Sequence, residues 1–112
     1  MKKNDVISVY VAYSSVRGSD GKRRPVLIVN TAEHSVFVYR ITSKYTQKSE
    51  WIQSCYYPIE KWREIGLNQP YYVDTKTVLE IMKKDLGIVR WIGSLDDFDV
   101  GGLAEFLKRR RK

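Results

Sequence analysis

The stretch GKRRPVLIVN, residues 21–30, is the part of the sequence that decides the fold. Its three cations lead into Pro25, and the proline opens an apolar, mostly β-branched run that ends at Asn30. Such a run is typical of a central strand buried on both faces, and a proline is tolerated at the first residue of a strand. The residue before a proline is kept out of the α region. We therefore predict a rigid strand over residues 25–29, with Arg24 held extended at its entry.

The segments on either side of this run also have strand character, separated by short polar turns. Residues 35–41 are expected to pair with the central strand as a hairpin. Residues 14–23 and 44–50 are rich in polar residues and are expected to be loops. Further strands are predicted by alternating or continuous apolar patterns at residues 6–13, 51–57, 71–81 and 86–92.

Two helices complete the predicted fold. A short one is expected over residues 58–66, opened by Pro58 and stopped by Gly66 in the left-handed conformation. The last runs from Asp96, which resembles a capping box together with Asp99, to the basic end KRRRK. The sequence thus predicts an α+β domain, mainly β, in which a strongly bent antiparallel sheet or small barrel is combined with a short internal helix and a C-terminal helix.

Length and composition place the chain among ordinary globular proteins. Its 112 residues form one domain, 1–112, and 43% of them are hydrophobic. No apolar stretch approaches the roughly 20 residues of a membrane span, and the first residues lack the apolar core of a signal peptide, so a cytoplasmic location is expected. Cys55 has no second cysteine to pair with, and with His34 it is too little for a zinc cluster. We expect no disulfide, no metal and no cofactor.

The net charge of +7 and the isoelectric point near 9.6 favour a polyanionic partner. A basic protein gains affinity by releasing counterions from phosphates. Arg24 is mounted as a binding or catalytic cation would be, since a side chain at a strand end is held better than one on a free loop. The alternative is that Lys22, Arg23 and Arg24 form a solvated turn.

At these residues the sequence resembles toxins of the PemK/MazF type. GSDGKRRPVLIVN is similar to the signature that follows the first strand of that family, with Gly18, Ser19, Asp20, Arg24 and Pro25 matching the pattern. VFVYRITS resembles the third strand, YYVDTKTVLEI the strand that carries an acidic and then a polar residue, and SLDDFDVGGLAEFL the final helix. These segments cover most of the chain in the family's order. The turn before Arg24 is about one residue shorter than in many members.

The resemblance implies an SH3-like β-barrel of about five to seven strands that forms a homodimer. It also implies an endoribonuclease toxin that cleaves single-stranded RNA at short sequences without a metal and is inhibited by a cognate antitoxin. A metal-free ribonuclease needs a base for the ribose 2′-hydroxyl, a cation or donors for the phosphorane and an acid for the leaving oxygen.

Four residues are assigned to this chemistry. Arg24 supplies a permanent charge whose planar fork suits two phosphate oxygens, and Thr42 at the end of the third strand can donate a hydrogen bond to the same phosphate. The general base is either Asp20, which shares the loop of Arg24, or Asp74. Structural roles remain possible for both aspartates: turn formation for Asp20 and an ordinary surface ion pair for Asp74.

A second set of residues is predicted to contact the RNA. Tyr13 and Tyr45 are expected to stack on bases, and Thr75 stands where the family often has glutamine. The full set is Tyr13, Ser19, Lys22, Arg23, Ser43, Lys44, Tyr45 and Thr75. Two other functions stay open. The chain could be a barrel that binds nucleic acid without cleaving it, or a toxin of related fold that targets a gyrase-like enzyme.

Overall fold

The structure, a computed structural model, describes residues 1–11 and 22–110, with side chains for residues 1–10 and 23–110. Within these residues there are one six-stranded sheet, two α-helices and a 3₁₀ turn. The strands are β1 (Asp5–Val11), β2 (Lys22–Thr31), β3 (Ser35–Thr42), β4 (Tyr56–Pro58), β5 (Tyr72–Met82) and β6 (Arg90–Ser94). The helices are α1 (Glu50–Gln53) and α2 (Asp97–Arg110), and the 3₁₀ turn is Lys83–Asp85. Neither α-helix in these described ranges has the length and apolar character that a membrane span requires.

The sheet is antiparallel, with the order β4-β5-β3-β2-β1-β6, so β4 and β6 form the two edges of an open sheet. The predicted hairpin is confirmed, because β2 pairs with β3 from Val26 opposite Arg40 to Thr31 opposite Val36. The predicted central strand is also confirmed, and it is longer than residues 25–29. It begins at Lys22, so the cations before Pro25 belong to the strand itself.

The two faces of the sheet carry separate apolar clusters. On one, the helix face, Val6, Leu27, Ile41, Val73 and Leu103 belong to a cluster packed under α2. The opposite face, the second face, holds a cluster of Ile7, Val9, Val26, Ile28, Val36, Val38 and Leu86. Because successive residues of a strand point to opposite faces, the apolar run after Pro25 supplies both clusters. Burying each large aliphatic side chain stabilises the fold by roughly 1.5–3 kcal/mol.

The terminal helix begins as the sequence predicts, but its cap differs. The Asp96 carboxylate accepts the N–H of Phe98 at 2.9 Å, which satisfies one donor of the first turn. Asp99 does not complete a capping box. It is fully buried, and its carboxylate accepts the Tyr57 hydroxyl at 2.6 Å and the N–H groups of Glu60 at 2.9 Å and Lys61 at 2.8 Å. Asp99 therefore ties α2 to β4 and to the segment that follows it.

The predicted helix over residues 58–66 does not form, and residues 60–66 are turns. The chain stays extended through Pro58, which pairs with Tyr72, and the N–H of Ile59 donates to the carbonyl of Tyr71 at 3.0 Å. The segment instead lays buried Ile59, Ile65 and Leu67 against the helix face. Gly66 has a φ of +101°, so its predicted left-handed conformation is confirmed, although it ends a series of turns and not a helix.

The prediction of a strand over residues 51–57 is wrong in its first half. The side chain of Ser49 accepts the N–H of Ile52 at 3.3 Å and caps the one-turn helix α1, and only Tyr56–Pro58 pair as a strand. Residues 71–81 are confirmed as β5, whereas the last strand lies at Arg90–Ser94 and not at residues 86–92. Leu86 instead closes the 3₁₀ turn and is buried in the cluster of the second face.

Candidate functional site

The second face changes from apolar to polar along its length. Val36, Val38, Val26 and Ile28 are buried at one end, and the same alternating positions continue on their strands as polar residues. We call this region the polar end. Its members are Arg24 on β2, Arg40 and Thr42 on β3, Tyr72 and Asp74 on β5 and Tyr56 on β4. It brings together three residues of the predicted site, Arg24, Thr42 and Asp74.

Arg24 and Thr42 lie on the same face of neighbouring strands. The last paired residues of β2 and β3 at this end are Val26 and Arg40, and Arg24 and Thr42 each lie two residues beyond them along their own strands. Arg24 is exposed and Thr42 is partly exposed, so both side chains can be reached by a large ligand.

The Thr42 hydroxyl is oriented by its own turn. Its Oγ1 accepts the backbone N–H of Lys44 at 3.1 Å, which is the hydrogen bond that turns the chain out of β3. A hydroxyl that accepts a bond still has its hydrogen to donate. Thr42 therefore offers a positioned hydroxyl on the face that also carries Arg24, and such a donor suits an anionic oxygen.

The residues that face one another across β3, β5 and β4 next to Thr42 are two oppositely charged side chains and a tyrosine. Arg40 lies opposite Asp74 in the register, and Asp74 lies opposite Tyr56. Burial raises the pKa of Tyr56 above its ordinary value of 10.0, the negative charge of Asp74 raises this pKa further, and the positive charge of Arg40 lowers it. Tyr56 therefore keeps its proton at neutral pH, and its hydroxyl can act as a donor.

Asp74 has both structural contacts and a position in the site. Its side chain is buried, Oδ1 accepts the N–H of Lys76 at 3.0 Å, and Oδ2 lies 3.9 Å from the Lys76 ammonium. The ion pair anticipated from the sequence is thus present, although the carboxylate is not on the open surface.

Tyrosines surround the polar end where β3 leaves the sheet. The ring of Tyr45 stacks on that of Tyr72, with centroids 4.4 Å apart and planes at 17°. The ring centroid of Tyr56 lies 6.3 Å from that of Tyr45 and 6.4 Å from that of Tyr72. Ser43 and Lys44 are exposed in the turn between Thr42 and Tyr45. The predicted contact residues Ser43, Lys44 and Tyr45 therefore adjoin Thr42.

Two other predicted contact residues are engaged elsewhere. The Arg23 Nη2 donates to the carbonyls of Ser8 at 3.0 Å and Ile88 at 2.8 Å, so Arg23 braces β2 against β1 and the segment before β6. Thr75 lies on the helix face. Its hydroxyl donates to the carbonyl of Cys55 at 2.6 Å and accepts from Arg110 Nη1 at 2.6 Å. Neither side chain belongs to the polar end.

The remaining predicted residues fall in or beside a part of the chain that the structure does not describe. Tyr13, Ser19 and Asp20 lie outside the described residues, and Lys22 begins β2 without a described side chain. Asp20 therefore remains the alternative to Asp74 as a general base.

Sequence reasoning missed Arg40, Tyr56 and Tyr72 as members of this region. The signal for Arg40 was present, because it is the only charged residue in SVFVYRIT and it alternates with Val36 and Val38 on an otherwise apolar face. The tyrosines follow only from the order of the strands, which brings β4 and β5 next to β3.

The comparisons with known proteins add no family. No model of a known protein family matches this chain, and no curated protein matches it.

Proposed function

We propose that this protein is a sequence-specific, metal-independent endoribonuclease toxin of the PemK/MazF type that cleaves single-stranded RNA. The observation that supports the proposal is that Arg24 and Thr42 lie on the same face of neighbouring strands, each two residues beyond the Val26–Arg40 pair. A permanent cation and a hydroxyl donor at neighbouring positions can bind the two non-bridging oxygens of one phosphodiester. The resemblance assigns the same two residues to the site.

The reaction is an internal transesterification. The ribose 2′-oxygen forms a bond to phosphorus, the bond from phosphorus to the 5′-oxygen breaks, and the products carry a 2′,3′-cyclic phosphate and a 5′-hydroxyl. A base takes the proton of the 2′-hydroxyl, and the leaving 5′-oxygen must gain one. Water can then open the cyclic phosphate to a 3′-phosphate. Charge builds up on the non-bridging oxygens in the phosphorane, where fixed donors lower the barrier most.

Each residue has a role that follows from its chemistry. Arg24 stabilises the charge of the phosphorane through its planar guanidinium, and its second assigned role is to donate the proton that the leaving 5′-oxygen gains. Thr42 donates to the same phosphate. Asp20 or Asp74 is the base, and the buried side chain of Asp74 is the less accessible to a 2′-hydroxyl at the surface. The tyrosines beside Thr42 offer flat surfaces to unpaired bases.

The resemblance extends the proposal to the assembly. We propose that this open, antiparallel sheet is related to the SH3-like barrel of that family. We also propose that the active form is a homodimer and that a cognate antitoxin inhibits it. Because the chain carries a net charge of +7, an acidic antitoxin segment is the expected partner. Sedimentation of the purified protein and co-purification with the product of an adjacent reading frame test these two partners directly.

The decisive assay is cleavage of single-stranded RNA in EDTA by the purified protein. We expect fragments that end in a 2′,3′-cyclic phosphate or 3′-phosphate and begin with a 5′-hydroxyl. Arg24→Ala should lower the rate on the order of 100-fold, a loss typical of removing one donor to a developing oxyanion. Lys84→Ala is the matched control, because it also removes one exposed cation but lies at the opposite end of β3 and β5.

The alternatives give different results in the same assay. RNA that is bound but stays intact would contradict the nuclease and indicate a binding protein without catalysis. DNA damage after induction, with messenger RNA intact, would indicate a toxin acting on a gyrase-like enzyme. Equal losses in Arg24→Ala and Lys84→Ala would mean that Arg24 contributes only general attraction to RNA.

A further inference from the structure

A pocket of about 240 Å³ opens directly beside Thr42. Its lining begins with Ser43, the residue after Thr42, and includes Tyr72, which lies opposite Thr42 in the register of β3 and β5. A phosphate bound by Arg24 and Thr42 would therefore have this pocket as its neighbour.

Aromatic rings form one side of the pocket. Tyr45 and Tyr72 both line it, and they are stacked on each other with centroids 4.4 Å apart. The backbone around Tyr45 is held in place, because its carbonyl accepts the N–H of Lys48 at 3.0 Å and the side-chain amide of Gln53 at 2.9 Å. Both tyrosines are only partly buried, so ring surface stays open to a ligand.

Polar groups form the rest of the lining. Ser43, Gln47 and Gln69 are exposed, and they supply a hydroxyl and two primary amides. A primary amide carries donors and acceptors on one planar group, which matches the edge of a nucleobase. Lys44 adds a positive charge at the same place. Rings for stacking, amides for the edge and a cation for the backbone are together the features that recognise a nucleotide whose base is unpaired.

We propose that this pocket binds one nucleobase of the RNA, that of a nucleotide next to the phosphate at Arg24 and Thr42, and that Gln47 and Gln69 determine which base is accepted. The identification of the ligand as RNA rests on the function proposed above. Tyr45 and Tyr72 supply the stacking surface, and the turn that starts at Thr42 links base selection to the cleavage position.

The test uses short RNA hexamers of A, C or U with 2′-O-methyl groups, which cannot be cleaved because the attacking hydroxyl is blocked. Binding is measured by fluorescence anisotropy. We expect the wild-type protein to prefer one hexamer, Tyr45→Ala to weaken binding about tenfold or more, and the double substitution Gln47→Ala with Gln69→Ala to reduce the preference between hexamers. Phe98→Ala, which removes an exposed ring on α2, is the control and should change neither quantity.

Foldedness of every variant is checked by circular dichroism and urea denaturation, which should match those of the wild-type protein. If the glutamine substitutions leave the preference unchanged and Tyr45→Ala weakens binding no more than Phe98→Ala does, the pocket does not bind a base. Cleavage of natural RNA by the wild-type protein in that case would leave the nuclease proposal intact. Base-dependent binding without any cleavage would instead support the pocket and contradict the nuclease. Failure of every hexamer to bind the wild-type protein would overturn the pocket.

Discussion

Polar side chains have different surroundings on the two faces of the sheet. On the helix face the carboxylate of Asp99 is fully buried, and three donors from β4 and the following segment surround it. On the second face, Arg24 and Arg40 stand exposed at the polar end, and the Thr42 hydroxyl keeps its hydrogen to donate. A buried polar group whose partners all lie within the protein serves stability, whereas polar side chains exposed at the end of a sheet can be reached by a ligand.

Substitutions on either face test this difference between the helix face and the polar end. Changes on the helix face should lower the free energy of unfolding and leave the chemistry of the folded molecules unchanged. Changes at the polar end should do the reverse.

The largest effect on stability is expected for Asp99→Ala. The substitution leaves a hydroxyl and two N–H groups without their acceptor, so the free energy of unfolding should fall by about 3 kcal/mol or more. Asp97→Ala is the matched control. It removes an exposed carboxylate from the first turn of the same helix and should cost less than about 1 kcal/mol. Urea denaturation of both variants measures the difference, and equal losses would mean that Asp99 does not anchor α2.

The glycine pair of α2 offers a second comparison. A Cβ at Gly102 would overlap the Tyr57 hydroxyl, which is already bonded to Asp99, whereas a Cβ at Gly101 would meet no atom within 4 Å. We expect Gly102→Ala to destabilise the protein by about 1–3 kcal/mol and Gly101→Ala to stabilise it by about 0.5–1 kcal/mol. Thermal or urea unfolding distinguishes them. Stabilisation by both substitutions would show that Tyr57 is not fixed against the helix.

A smaller effect with a defined pH dependence is expected for Tyr57→Phe. Burial and the hydrogen bond to Asp99 raise the pKa of Tyr57 above its ordinary value of 10.0. The folded state therefore keeps this proton at a pH where the unfolded chain has lost it, so the stabilisation is complete below pH 10 and is lost as the pH rises beyond it.

The measurement compares the two proteins by urea denaturation at about pH 8 and about pH 11. Tyr57→Phe should cost about 1.5 kcal/mol at the lower pH, and the gap between the two proteins should narrow at the higher pH. The other titrating groups are common to both proteins and cancel in the comparison. A gap that widens with pH would contradict this reading of Tyr57.

The smallest change in stability is expected at the polar end, for Arg40→Ala. This exposed side chain should alter the free energy of unfolding by less than about 0.5 kcal/mol. It should nevertheless reduce the salt dependence of RNA binding, lowering the slope of log K against log salt concentration by about 0.7 for one lost phosphate contact. Lys84→Ala should leave that slope unchanged, and an equal reduction by both would mean that Arg40 has no fixed phosphate partner.

Local patterns predicted the central part of this fold well. The apolar run after Pro25 and the alternation in residues 35–41 identify β2, β3 and their hairpin, because each strand is specified by its own side chains. The errors fall where a distant residue decides the local structure. Residues 58–66 have a helical pattern, but pairing of Pro58 with Tyr72 and the bond from the Ile59 N–H to the Tyr71 carbonyl keep the start of this segment extended.

The candidate site was predictable to the extent that strand ends are. Arg24 follows from the proline after it, and Thr42 follows from the end of an alternating strand. Tyr56 and Tyr72 could not be predicted, since they reach the polar end only through the pairing of β4 and β5 with the rest of the sheet. Thr75 illustrates the same limit. It follows Asp74 directly on β5, so its side chain lies on the helix face and not at the polar end.

The most direct test of the central claim is a double-mutant cycle on RNA cleavage in EDTA with Arg24→Ala, Thr42→Ala and the double variant. If both side chains bind one phosphate, removing either of them also weakens the transition-state stabilisation that the other provides. The double variant should then lose less activity than the product of the two single losses, with a coupling of about 0.5–3 kcal/mol. Losses that multiply independently, or a wild-type protein that leaves RNA intact, would contradict the account.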